Sequence, residues 1–263
     1  MSGHGFKSDI IEDDHYVFGG QKVFPVILQE DGQWDDYLPV KEYQRKGLET
    51  MSCVSYGTLN CIEILHKRKY GEEVNFSDRY TAIVSDTTQE GNSPHKVAEA
   101  VRKLGLIDEK ELPFTELMTN WDEYHFPKPM EKEYLDLGKK WLYEYSFKHE
   151  WVKADDVEEK NRKMIQTLTL SPLGVSVHAN ALWSANSVGV YRREGKDNHW
   201  LTIYGYEPHL YWKAWDSYDN VYKKLEWNYD FKFIKRYSLV KRITRPTIWS
   251  QFVEFTQMLN ICK

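Results

Sequence analysis

The hydrophobic pattern of this chain changes period near Pro172, and that change confines it to folds with a helical first part and a sheet in the second. Before Pro172 the apolar residues recur at helical spacing. Ser52 as cap, Leu59, Ile62 and Leu65 on one side and Gly71 as stop predict a helix over Cys53 to Tyr70. Ser93, Pro94 at the first helical position, then Val97, Val101 and Leu104, predict a second helix that ends at Gly105. Tyr134, Gly138, Trp141 and Tyr145 predict a third, and Val157, Asn161, Met164, Ile165 and Leu168 a fourth, opened by Asp155. After Pro172 come short β-branched and aromatic runs bounded by turn residues: Gly174 to Ala179, Val188 to Arg192, Trp200 to Tyr206, Tyr211 to Asp216 and Phe231 to Tyr237. Helices first and strands later read as α+β with an antiparallel sheet. The change falls at about 150–172.

Composition removes several function classes. Of 263 residues, 41% are hydrophobic and 15% aromatic, which excludes disorder as the global state. No apolar run approaches the ~20 residues of a membrane helix, and the N-terminal residues lack the basic start and apolar stretch of a secretory signal. Membrane partners are therefore not expected. A net charge of −5 argues against nucleic acid as a partner. Cys53, Cys61 and Cys262 cannot build a disulfide framework, so a reduced, cytoplasmic setting is the simplest expectation. No Cys or His pair has zinc-ligand spacing with a second pair to match it, and neither metal nor cofactor is expected. The basic pairs Lys223-Lys224, Lys235-Arg236 and Lys241-Arg242 read as solvated surface.

Cys53 has the most suggestive chemical setting. A helix start offers free N–H groups and a partial positive charge, which favour thiolate over thiol. The thiolate is the nucleophile, and it needs a base with an orienting partner. His199 opens the strand-like HWLTIYGY, and Asp216 closes YWKAWDSY. Two antiparallel strands joined around Glu207–His209 would bring these side chains together. Cys61, in mid-helix, reads as a small buried residue, and His178 in GVSVHAN could line a pocket.

From about Gln44 to Tyr237 the chain resembles the papain-like cysteine peptidases. QRKGLETMSCVSYGTLNCIEIL is similar to the family's nucleophile segment, where a Gln precedes the Cys that opens a long central helix. NFSDRY and EGNSPHKVAEAVRKLGLIDEKELPF resemble the stretch through the Gly-rich substrate wall. SPLGVSVHA, SVGVY, DNHWLTIYGYE and YWKAWDSY resemble its later strands, in order. The Cys–His separation of 146 also lies in the family's range of ~130–150. The resemblance implies a papain-like α+β fold: a central helix starting at the catalytic Cys, an antiparallel sheet and a cleft between them. It implies Cys53 as nucleophile, His199 as base, Asp216 as orienting group, Gln44 with the Cys53 N–H as oxyanion donors, and Gly91, Asn92, His178 and Asn198 beside the substrate.

Several positions depart from the family pattern. Asp216 stands where Asn is usual, Tyr218 where a Trp shields the orienting group, and Asn92 where a second Gly is usual. The oxyanion Gln lies nine residues before the Cys instead of six. The Cys-Gly-Ser-Cys-Trp signature and the family's disulfides are absent, and 52 residues before Cys53 are fewer than a usual inhibitory propeptide requires. These features resemble divergent microbial or phage-encoded members, for which host cytoplasm or virion would be the location. The expected activity is hydrolysis of peptide or protein substrates through an acyl-enzyme. The alternatives are a vestigial papain fold with a structural or binding role, or a Cys-His-Asp acyl transferase or amidase of transglutaminase type. The expected organisation is an extension over 1–43, the peptidase domain over 44–246 and a C-terminal helix over 247–263. The apolar face of that helix (Ile248, Phe252, Phe255, Leu259) suits packing on its own domain, self-association or a larger assembly.

Overall fold

The computed structural model describes residues 5–12, 15–18, 26–179, 182, 185–218 and 222–242. Helix α1 spans Cys53–Tyr70, as its sequence predicts, and is buried from Cys53 to His66. It stops at Gly71, whose left-handed φ of 72° costs glycine little. Ser52 precedes α1 but does not cap it, because its hydroxyl donates backwards to the Thr50 carbonyl at 2.9 Å. Helix α2 (Asp78–Val84) is capped by Ser77 and is too short to carry a periodic signal. Helix α3 (Pro94–Leu104) begins where Ser93 accepts from the Lys96 N–H at 3.1 Å. Helices α4 (Trp121–Tyr124), α5 (Lys132–Glu144) and α6 (Val157–Leu168) follow. The cap of α6 is Asp156 rather than Asp155: Asp156 accepts from the Glu159 N–H at 2.8 Å, and Glu159 reaches back to the Asp155 N–H at 3.1 Å.

Seven described strands make one sheet: β1 (Tyr145–Trp151), β2 (Leu173–Val177), β3 (Val190–Tyr191), β4 (His199–Glu207), β5 (Tyr211–Trp215), β6 (Tyr222–Glu226) and β7 (Ile234–Lys241). Their order is β1-β7-β2-β4-β5-β6-β3, with every neighbouring pair antiparallel except β6 and β3. Two strands depart from the sequence expectation. Strand β1 follows α5 without a turn residue to announce it, and β6 is the charged-looking YKKLE. In β6 the alternation nonetheless holds, with Lys223 and Leu225 inward and Tyr222 and Lys224 outward.

Strand β4 organises the centre. Its residues His199 to Gly205 are all buried, and it packs against α1. The indole of Trp200 fills a slot between α1 and β2, where glycine is required on both sides. A Cβ on Gly57 would lie 2.7 Å from the ring, and one on Gly174 2.6 Å. The β4–β5 hairpin turns at His209, which has a φ of 63°, and its register brings Thr202 opposite Trp215. The start of β4 and the end of β5 therefore meet, as the two-strand expectation required.

Described residues of the N-terminal segment pack against this body. Phe6 bridges Asn92 and Val17 bridges Trp151, both in parallel sense, while the fully buried Trp34 donates from its indole to the Leu168 carbonyl at 2.8 Å. The predicted helix over 247–263 lies outside the described residues.

The slot around Trp200 yields a stability prediction. Gly57→Ala should destabilise the fold by about 1–3 kcal/mol, because the added methyl meets a ring held from the other side by Gly174. Chemical denaturation of the two proteins checks it, and an unchanged midpoint would mean that the slot can widen.

Candidate active site

Cys53, His199 and Asp216 come together. Cys53 is the first residue of α1, His199 opens β4, and Asp216 directly follows β5. The His199 Nε2 and the Asp216 Oδ1 are 2.9 Å apart, with both side chains 1% exposed. The imidazole and the Cys53 thiol also interact electrostatically, each favouring the charged form of the other. With Nε2 turned to the carboxylate, Nδ1 is the nitrogen left for the Cys53 side, so the ring lies between Cys53 and Asp216. Tyr218 sets its ring edge-on to His199 at 6.0 Å and donates its backbone N–H to Asp216 at 3.0 Å.

A fourth group belongs to this cluster. The Lys223 ammonium donates to the other Asp216 oxygen at 2.7 Å, with both side chains 2% exposed or less. The solvated-surface reading of Lys223 is therefore corrected. Its signal was the period-2 alternation of β6, which puts residue 223 on the same side as Leu225.

Electrostatics follow from this packing. Burial opposes charge on His199, but the Asp216 carboxylate, the Cys53 sulfur and their hydrogen bonds outweigh it and push its pKa up to about 10. Burial also opposes ionisation of Asp216, and there His199 and Lys223 prevail, holding the carboxyl well below its usual range. Cys53 departs from the helix-start expectation of a depressed pKa. Burial pushes the thiol up, and the nearby His199 and the Trp200 N–H only partly offset this. Cys53 is fully buried, so the helix start acts without help from water.

The remaining candidates have more specific partners than their spacing shows. Gln44 is fully buried: its amide nitrogen donates to Glu49 at 3.2 Å and its amide oxygen accepts from the Ser217 hydroxyl at 3.2 Å. Its backbone N–H donates to the Ser217 carbonyl at 2.8 Å. Gln44 thus ties the segment before α1 to the residue following Asp216. Glu49 also accepts from the Met51 N–H at 3.1 Å and so holds the turn into Cys53, where Met51 has a φ of 54°. Asn198 spends its side-chain oxygen on the Ala179 N–H at 2.8 Å. His178 lies one residue beyond the β2–β4 pair Val177–His199, its ring against Gly195.

Gly91 and Asn92 face the chain's own N-terminal segment. A Cβ on Gly91 would fall 2.1 Å from the Gly5 backbone, and Gly91 has a φ of 98°, so only glycine suits this position. The Asn92 N–H donates to the Gly5 carbonyl at 2.8 Å, and the Lys7 N–H donates to the Asn92 carbonyl at 2.7 Å. Phe6 stacks on Trp200 at 5.8 Å and shares an apolar cluster with Cys53 and Val97. Farther along, Asp9 accepts from the His95 N–H at 2.9 Å. The Asn92 side chain turns away and donates to the Ser85 carbonyl at 2.9 Å. Asn in place of a second glycine therefore does not obstruct the backbone pairing.

Among the described residues no cluster of three or more His, Cys, Asp or Glu could hold a metal ion, and no helix is long and apolar enough to cross a membrane.

No family model matches the sequence, and no curated protein matches it. Solved structures do. Digestive procathepsin L 3 of Tenebrio molitor superposes with a TM-score of 0.61 at 11% identity, covering 90% of this chain and 76% of that one. Xylellain, a cysteine protease from Xylella fastidiosa, gives 0.60 at 18% identity, covering 93% and 97%. The bromelain protease from Ananas comosus gives 0.55 at 14%, covering 78% and 97%. The α+β fold of this chain is that of papain-like cysteine proteases.

The raised pKa of His199 fixes a pH dependence of stability. The folded state binds this proton more tightly than the unfolded chain, whose imidazole titrates at 6.5. The resulting stabilisation is complete below pH 6.5 and fades as the pH rises to about 10. Urea unfolding of the wild type and His199→Gln should show a stability gap that narrows over this interval; a gap constant with pH would place the His199 proton elsewhere.

Proposed function

We propose that this protein is a cysteine peptidase that cleaves peptide bonds through an acyl-enzyme, with Cys53, His199 and Asp216 as its triad. The observation that carries the reading is the buried His199–Asp216 hydrogen bond, with the imidazole electrostatically coupled to Cys53 at the start of a buried helix. In this mechanism the reactive form is a Cys53 thiolate beside a protonated His199, and the thiolate attacks the scissile carbonyl carbon. The oxyanion that forms is met by the Cys53 N–H and by the second amide hydrogen of Gln44, since Glu49 takes only one. Collapse breaks the C–N bond, and His199 gives its proton to the departing amine. Water, deprotonated by the now neutral imidazole, hydrolyses the thioester and restores the thiolate–imidazolium pair.

The same reading gives the N-terminal segment a consequence for access. A substrate strand using the Asn92 backbone must displace Gly5 and Lys7, which already occupy its donor and acceptor. Displacement would also let water reach Cys53, removing the burial that pushes its thiol up and leaving the favourable effect of His199. Full burial of the nucleophile is equally the observation that favours a second reading, a papain fold retained for a structural role without turnover.

Two measurements separate these readings. A variant lacking residues 1–9 should hydrolyse an unstructured protein substrate faster than the full chain, and Cys53→Ser in the same background should abolish the activity. If the shortened protein folds, exposes Cys53 to iodoacetamide and still cleaves nothing, the structural reading takes over. Gln44→Ala should lower turnover by about 10²-fold as the loss of one oxyanion donor; wild-type turnover in that variant would confine Gln44 to bracing Ser217.

A further inference from the structure

The departure at position 216 has a physical partner. Three donors converge on this one carboxylate: the His199 ring N–H at 2.9 Å and the Tyr218 N–H at 3.0 Å on Oδ1, and the Lys223 ammonium at 2.7 Å on Oδ2. A carboxylate accepts at both oxygens, whereas an asparagine amide accepts at one and donates at the other end. Asn at 216 would turn its NH2 either toward the imidazole N–H or toward the ammonium, placing donor against donor in a dry site. Lys223 therefore makes Asp necessary.

The charge on Asp216 has a cost for the reaction as well as a use. A lone carboxylate on the imidazole would hold the imidazolium so firmly that, once Cys53 is acylated, His199 would be slow to become the neutral base that activates water. An ammonium on the far oxygen offsets that charge. With Lys223 in place, the Asp216–Lys223 pair is neutral overall, as an asparagine would be, while its near oxygen still orients the ring.

We propose that Lys223 is a positioning residue of this site, acting through Asp216 to lower the pH at which His199 releases its proton. This inference deepens the peptidase reading and rests on it for its catalytic meaning. The groups facing His199 are Cys53 from α1, with Glu49 beyond it, Asp216 and Tyr218 from the end of β5, and Lys223 from β6, whose ammonium also lies 5.9 Å over the Tyr191 ring of β3. Of these, Lys223 is a cation in direct contact with the Asp216 oxygen that faces away from the ring.

The test is an NMR titration of the His199 ring in the full chain, assigned by its loss in His199→Gln. Lys223→Met should raise the His199 titration midpoint by about one pH unit, because the remaining carboxylate is uncompensated. Asp216→Asn should lower it, because an ammonium then faces the ring without its counter-charge. The double variant Asp216→Asn/Lys223→Met should fall between the two singles. Replacement of a buried pair by neutral groups is the change most easily tolerated, so if Lys223→Met does not fold, comparison of the double variant with Asp216→Asn still measures the effect of removing Lys223, and the midpoint must rise. An unchanged midpoint on removing Lys223 in the background that folds overturns the proposal, since a merely structural lysine would lower stability without moving the titration. Iodoacetamide keeps the two readings apart: failure to modify Cys53 in the shortened protein counts against the peptidase, whereas the His199 titration judges Lys223 in either case.

Discussion

The site depends on one buried carboxylate. Asp216 joins the start of β4, the segment after β5 and the start of β6, through His199, Tyr218 and Lys223 respectively. Removing one partner of such a buried charge network typically costs ~3–5 kcal/mol, because the charge left behind has neither water nor a counter-ion. The two-residue advance from Asp216 to Tyr218 and the return of β6 alongside β5 are thus constraints of electrostatics as much as of sheet pairing. The Gln44 brace on Ser217 extends the same constraint to the segment that leads into Cys53.

Burial acts the same way on Cys53 and His199, but with different outcomes. It opposes charge on both; His199 has a carboxylate to sustain its proton, whereas for Cys53 the imidazole and the Trp200 N–H do not outweigh burial. In the closed arrangement the imidazole keeps its proton while the sulfur is held back as thiol. The Phe6–Trp200 stack and the pairing of Gly5 and Lys7 with Asn92 are part of what keeps this region dry. Access and nucleophile activation are therefore linked through the same segment in the proposed mechanism.

Much of this was legible in the sequence because the signals were local or ordered. Gly71, Ser93 with Pro94, and Gly105 punctuate their helices as the periodicity predicts, and the spacing of His199 and Asp216 across the Glu207–His209 turn matches the hairpin. Other features depend on contacts distant in sequence. Ser52 has a cap's identity, yet its hydroxyl finds the Thr50 carbonyl first. Strand β1 lacks a turn before it, and β6 is masked by two lysines, one of which is stabilised inside by a carboxylate that periodicity alone cannot supply. The occupation of Gly91 and Asn92 by residues some 85 positions earlier has no local signature at all. The low Cys53 pKa expected at a helix start is absent for a related reason: the burial that raises the thiol comes from residues distant in sequence, which the N–H groups of α1 do not reveal.

The central claim is that Cys53 is a nucleophile activated by His199, and a thiol-reactive peptidyl epoxide addresses it most directly. The shortened protein would be treated with the epoxide at neutral pH, and the modified residue mapped by mass spectrometry in parallel with His199→Ala. The account predicts a single adduct on Cys53 that forms far more slowly without His199. An adduct on Cys61, or equal labelling of Cys53 with and without His199, would contradict it.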